Sequence, residues 1–246
     1  MLKKKDLDYF NYGQIENEKF WRRLGERPNL DNKSILDFGC GHGSLCIDLV
    51  NNGAGFVTGI DLEDDLLTFA NENLNNNFYQ LKSKIEFKKK NLLDDKFNQE
   101  FDLIVTKDTF EHTIDLPKIL DKFYDLLKMN GKVYIGFGPL YNFYNGDHGR
   151  TQLKFPWLHV ILSDEFIVNR LNKRNKIQIN KIEDLGLSKY SFKEYKDMFK
   201  NSKFEIEYFA TNKSDHPVSK LFNFLSKFRF FREYCTYNIY CVLKKN

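Results

Sequence analysis

The sequence predicts an α/β fold, in which a mostly parallel sheet is covered by helices on both faces and an aromatic-rich cap is inserted after the fifth strand. Three observations carry this. Short apolar runs alternate with amphipathic stretches through the first 137 residues. Those runs are continuous rather than alternating, as strands buried on both faces require. After residue 138 the alternation gives way to about fifty residues crowded with rings and charges, then resumes.

The N-terminal residues 1–30 read as a helical lid, with Phe20, Trp21 and Leu24 on one side and Tyr9, Tyr12 and Gly13 before them. The core, 31–137, starts with an apolar run ending in Asp37, three alternate glycines (Gly39, Gly41, Gly43) and a helical face of Leu45, Cys46, Ile47, Leu49 and Val50. Strand, tight turn and helix follow from that order, and the glycines let backbone approach a ligand that a Cβ would block. Residues 55–61 form a second strand ending in Asp61, followed by a helix at 64–74. Strands at 85–87 and 101–105, a helix at 116–127 closed by Asn130-Gly131, and a strand at 132–137 complete the series. The cap spans 138–190. Residues 191–246 then supply a helix at 191–200, a strand at 204–209, a helix at 218–231 and a last strand at 237–243. Periodicity leaves the direction of the last strand pair open.

Composition narrows the function classes. The 38 Lys and Arg against 34 Asp and Glu give a net charge of +4, too even for a dedicated nucleic-acid binder. No apolar run is long enough to span a bilayer, and no secretory leader precedes residue 10, so a cytoplasmic location without membrane insertion is expected. The four cysteines lack C-x-x-C spacing and read as buried thiols. The stripe of Leu221, Phe222, Leu225 and Phe228 reads as core packing or the seam of a homodimer.

A glycine turn alone is compatible with any nucleotide fold. Here the spacing is G-x-G-x-G rather than G-x-G-x-x-G, and Asp37 stands where it would repel a pyrophosphate but attract an ammonium group. With these residues, Gly59-Ile60-Asp61, Asn91-Leu92-Leu93, and the strand 101–105 leading to Glu111-His112, the chain resembles the class I S-adenosylmethionine-dependent methyltransferases over about residues 30–140. The resemblance implies a Rossmann-like seven-stranded sheet ordered 3-2-1-4-5-7-6, with the last strand antiparallel, and S-adenosylmethionine as cofactor. It places Gly39, Cys40 and Gly41 along the methionine portion and Asp37 near its amino group. Asp61 falls at the ribose hydroxyls, Leu62 beside the adenine, Asn91 and Leu92 at its polar edge, and Lys107 at the methionine end.

The acceptor side is read from the residues beyond strands four and five. A hydroxyl acceptor needs a base, and His148, oriented by Asp147, leads, followed by Glu111 and His112. Tyr12, Tyr141, Tyr144, Asp147, Arg150, Trp157 and His159 are candidate acceptor contacts, with rings for stacking on sugar faces and polar groups for hydroxyls or phosphate. The cap resembles that of bacterial methyltransferases of carbohydrate and surface-glycan pathways. The expectation is therefore O-methylation of a small carbohydrate-like acceptor, possibly phosphorylated or nucleotide-linked. N- or carboxyl-methylation is the alternative within enzymes, and a nucleotide-dependent oxidoreductase or non-catalytic binding module lies outside that class. Glu111, His112, Asp147, His148 and His159 are scattered without a local ligand pair, so no metal is expected.

Overall fold

The computed structural model describes residues 2–214 and 216–246. Helix α1 (Lys4–Arg23) precedes β1 (Ser34–Phe38), α2 (Ser44–Asn51), β2 (Phe56–Asp61), α3 (Asp64–Asn77), β3 (Ile85–Lys89), β4 (Phe101–Lys107), α4 (Leu116–Leu126) and β5 (Leu127–Phe137). The cap carries α5 (Leu158–Ile161) and α6 (Asp164–Asn175). The chain closes with α7 (Phe192–Asn201), β6 (Glu205–Thr211), α8 (Ser219–Leu225), α9 (Arg232–Cys235) and β7 (Ile239–Lys244).

The seven strands form one sheet in the order β3-β2-β1-β4-β5-β7-β6. The first five pair in parallel, and β7 runs antiparallel to both β5 and β6. Periodicity had left that last direction open, and the family resemblance had it right. Each face of the sheet has its own core. One packs α1, α2 and α3 through Phe10, Trp21, Leu45 and Phe69; the other packs α4 and α7 through Phe110, Phe123 and Phe199. The cap has a small core of its own around Tyr141, Ile167, Leu171 and Ile182.

Two segments differ from the sequence reading. The fifth strand begins at Leu127 rather than 132, because the chain end pairs with it: Asn130 N donates to Lys245 O and Lys245 N to Gly131 O. The helix expected over 218–231 stops at Leu225. The carbonyls of Ser226 and Lys227 are taken by the Arg232 side chain instead of by the next helical turn. Its apolar stripe is consequently not core: Leu221, Phe224 and Phe228 are more than half exposed, while Phe222 packs on Phe143 and Tyr237. All four cysteines are buried free thiols. Among the described residues, no helix is long and apolar enough to cross a membrane.

Candidate active site

In a parallel sheet every strand delivers its carboxyl end to the same edge, so turns far apart in sequence share one crevice. Here that crevice is a cavity of about 870 Å³. Its walls include Asp37, Gly39, Cys40, Gly41, Asp61, Leu62, Asn91, Leu92 and Lys107, all nine of the residues expected at the cofactor.

The glycine turn is shaped by hydrogen bonds to the end of β2. Gly39 N and Cys40 N donate to Ile60 O at 2.9 and 3.0 Å, Gly41 N to Asp61 Oδ2 at 2.8 Å, and Gly43 N to Cys40 O at 2.9 Å. These donors are therefore spent within the protein, so this turn does not offer them to a pyrophosphate. Gly39, Gly41 and Gly43 all have positive φ (77°, 50° and 78°), and a Cβ on Gly41 would meet no protein atom. The turn is an open backbone cradle.

Two carboxylates frame it. Asp61 accepts from Gly41 N through one oxygen and from Leu62 N and Glu63 N (2.7 and 3.0 Å) through the other, which aims it at the rim where Leu62 stays 57% exposed. Asp37 lies deeper, with Cys46 Sγ donating to its Oδ2 at 3.1 Å. Burial pushes its carboxyl up to about 7, against the pull of the Cys46 hydrogen bond and the Lys107 cation. Lys107 is itself pushed down by burial and donates to Asn17 Oδ1 at 2.6 Å.

Helix α1 closes one side. Gln14 and Asn17 both donate to Ser44 O (2.7 and 3.1 Å), and Tyr9 packs on His42 with ring centroids 4.8 Å apart. Tyr9, Tyr12, Gly13 and Glu16 line the cavity while Phe10, Phe20 and Trp21 are buried in the core, so the lid is also a core element. Tyr9 lies in the lid that the sequence offers, whereas Glu16 and Thr109 were missed from sequence. The i, i+3, i+4, i+7 spacing of 9, 12, 13 and 16 was the available signal for Glu16.

The acceptor side departs further from expectation. His112 and Arg150 reach the wall of the large cavity, as does Tyr12, and Tyr144 lines a second cavity of about 320 Å³. The two cavities share Glu16, Lys107 and Asp108. Asp108, held at φ 53° with its carboxyl raised by burial, stands between them. The other predicted contacts line neither cavity. Tyr141 Oη donates to His159 O at 3.2 Å and the His159 ring pairs with Tyr141 O at 2.7 Å, both residues being buried. Trp157 lines neither cavity and packs edge-on against Tyr144.

Asp147 does not orient His148. Its carboxylate caps its own turn, accepting from Gly149 N and the Thr151 hydroxyl, and His148 instead pairs through Nε2 with Pro139 O at 3.2 Å. Burial shifts the His148 ring down, not up as an Asp147 partner would have done. Neither His148 nor Glu111 lines either cavity. The fold does, however, bring Glu111, His112 and His148 together, although sequence spacing suggested no such cluster.

Residues 29–138 match the family described as "Methyltransferase domain". Phosphoethanolamine N-methyltransferase 3 of Arabidopsis thaliana is 34% identical over 129 residues, 52% of this chain and 25% of that protein. A ubiquinone biosynthesis O-methyltransferase of Glaesserella parasuis is 33% identical over 117 residues, 46% of this chain and 48% of that protein. The chain thus spans between a quarter and about half the length of these curated relatives. The crystal structure of an S-adenosylmethionine dependent methyltransferase from Mesorhizobium loti superposes with a TM-score of 0.60 at 13% identity, over 94% of this chain and 97% of that one, a likeness of fold.

Proposed function

We propose that the protein is a class I S-adenosylmethionine-dependent methyltransferase, a reading supported by the match of residues 29–138 to the methyltransferase domain family, and that it transfers the methyl group of S-adenosylmethionine to a hydroxyl of a small acceptor. The observation that carries the reading is the cradle itself. Its turn keeps four N–H groups for the protein, places Asp61 and Leu62 at the rim, and buries Asp37 beneath. That set of acceptors and apolar surface fits a ribose diol, an adenine face and an α-ammonium group, and it suits a sulfonium better than a pyrophosphate.

In the reaction the acceptor oxygen attacks the methyl carbon in line. The new C–O bond forms as the C–S bond breaks, and the electron pair returns to sulfur to leave S-adenosylhomocysteine. The protein contributes alignment and exclusion of water. The hydroxyl proton must leave, and Asp108 and His112 are among the cavity-wall groups that can receive it. His148 and Glu111, which lie off the wall, do not act as direct bases in this reading.

The acceptor class rests on the cavities rather than on the relatives, whose names point to other acceptors. Tyr12, Tyr144 and Arg150 remain as contacts for a hydroxylated, carbohydrate-like molecule, and Lys213 in the smaller cavity suits a phosphate handle. A second reading, an amine acceptor, is favoured by the Glu16 and Asp108 carboxylates where the cavities meet. Calorimetry and a labelled-methyl screen test both. S-adenosylhomocysteine should bind and NAD should not, and sugar phosphates should accept label before amines or carboxylates. Binding of NAD in place of S-adenosylhomocysteine would end the methyltransferase reading.

A further inference from the structure

Glu111 and His112 sit on the short turn after β4 and His148 on the loop after β5. Each offers one ligand atom, and those atoms all lie within 4.8 Å of one another. The surrounding hydrogen bonds decide which atoms carry protons. His112 Nδ1 is 2.7 Å from Gly186 O. A carbonyl can only accept, so Nδ1 carries the hydrogen and Nε2 a lone pair. His148 Nε2 is 3.2 Å from Pro139 O, which leaves the lone pair on Nδ1. The ring centroids are 4.9 Å apart. Glu111 Oε1 accepts from Gly138 N at 3.3 Å, whereas Oε2 is buried with no hydrogen-bond partner, in a residue only 4% exposed.

The cluster therefore gathers two imidazoles that each keep a lone pair and a carboxylate with one orphaned oxygen, the hydrogens of both rings being held by backbone carbonyls. Electron-pair donors that meet in this way need a proton or a cation between them. Outer ring N–H groups held by backbone carbonyls are also how metal-ligating histidines are oriented.

We propose that Glu111, His112 and His148 bind a divalent first-row transition ion. Two imidazoles and a carboxylate suit manganese, iron, cobalt or zinc rather than magnesium, which prefers an all-oxygen shell. Three protein ligands leave coordination positions open. His112 reaches the cavity wall beside Arg150, whose guanidinium is held by the carbonyls of Leu185 and Gly186. The open positions therefore adjoin the space assigned to the acceptor. Resting on the methyltransferase reading, the ion would bind acceptor oxygens and make a hydroxyl easier to deprotonate. With the His112 lone pair committed to the ion, Asp108 is left to receive the proton.

The test needs no turnover. Metal-free, untagged protein is titrated with Co²⁺ and followed by its visible d–d absorption, with Zn²⁺ added as competitor. One Co²⁺ per chain should bind at micromolar strength or tighter, and Zn²⁺ should displace it. Losing an outer-shell partner already costs ten- to a hundredfold in affinity, so His112→Gln and His148→Gln should each weaken binding by about a hundredfold or more. His216→Gln, far from the cluster in sequence, should leave it unchanged. A wild-type chain that binds no Co²⁺ overturns the proposal, as does a folded double variant, His112→Gln with His148→Gln, that binds normally. Should the variants not fold, the wild-type titration decides. S-adenosylhomocysteine binding by the metal-free protein is measured alongside, so failure of the ion site and failure of the methyltransferase reading give different results.

Discussion

If Asp37 meets the cofactor's ammonium group as proposed, it should couple cofactor binding to pH and oppose the stability of the empty protein. Cys46 on α2, Cys40 on the turn, Lys107 on β4 and Asp61 on β2 are the titratable groups that act on it. With its carboxyl raised from 3.8 to about 7, the folded chain holds a proton there that the unfolded chain releases. Stability from this group is therefore greatest below the unfolded value and is lost as pH rises to about 7. Three pKa units correspond to about 4 kcal/mol as an upper bound. Asn at this position keeps a carbonyl oxygen for the Cys46 thiol but has no charge to bury. At pH 8 empty Asp37→Asn should thus be more stable than wild type by up to about 4 kcal/mol, or about 10 °C in melting temperature, and the difference should close towards pH 4.

Cofactor binding runs the other way. The ammonium group needs the carboxylate, so wild-type affinity for S-adenosylhomocysteine should fall about tenfold for each pH unit below 7. Asp37→Asn should bind about a hundredfold more weakly at pH 8, with little dependence on pH. Melting curves and calorimetry from pH 5.5 to 8.5 measure both effects. If wild-type affinity is flat across that range, and the variant is no more stable at pH 8, then Asp37 is ionised in the empty site and the reasoning fails.

Three further outcomes are expected. Asp61→Ala removes the acceptor for two hydroxyls, two charge-assisted bonds worth on the order of 3 kcal/mol together, so calorimetry should show about a hundredfold weaker cofactor binding; an unchanged affinity would displace the ribose from this carboxylate. Gly39→Ala forces a side chain onto φ 77° and into the Thr109 side chain, so it should destabilise by about 1–3 kcal/mol in denaturant melts and abolish detectable cofactor binding. His159→Ala removes the ring held by Tyr141 O and leaves a cavity, costing about 2–4 kcal/mol of stability, while any acceptor KM should stay within about twofold; a large KM effect without destabilisation would return His159 to the acceptor site.

What the sequence determined by itself was the strand-and-helix order and the gathering of the residues expected at the cofactor. Asp37, the glycine turn, Asp61, Asn91-Leu92 and Lys107 each lie at or just past the end of a β-strand. A parallel sheet puts those ends on one edge, so local pattern sufficed to bring all of them to one cavity. The cap obeys no such rule. Whether Asp147 meets His148 or its own turn, and whether Tyr141 and His159 face an acceptor or each other, depends on how a fifty-residue insert folds back, and no periodicity encodes that. The meeting of Glu111, His112 and His148 was decided in the same way. Residues 36 positions apart, between His112 and His148, become neighbours only when the loop after β5 lies over the turn after β4, and their free lone pairs follow from backbone carbonyls at Pro139 and Gly186 that only the tertiary structure puts in place.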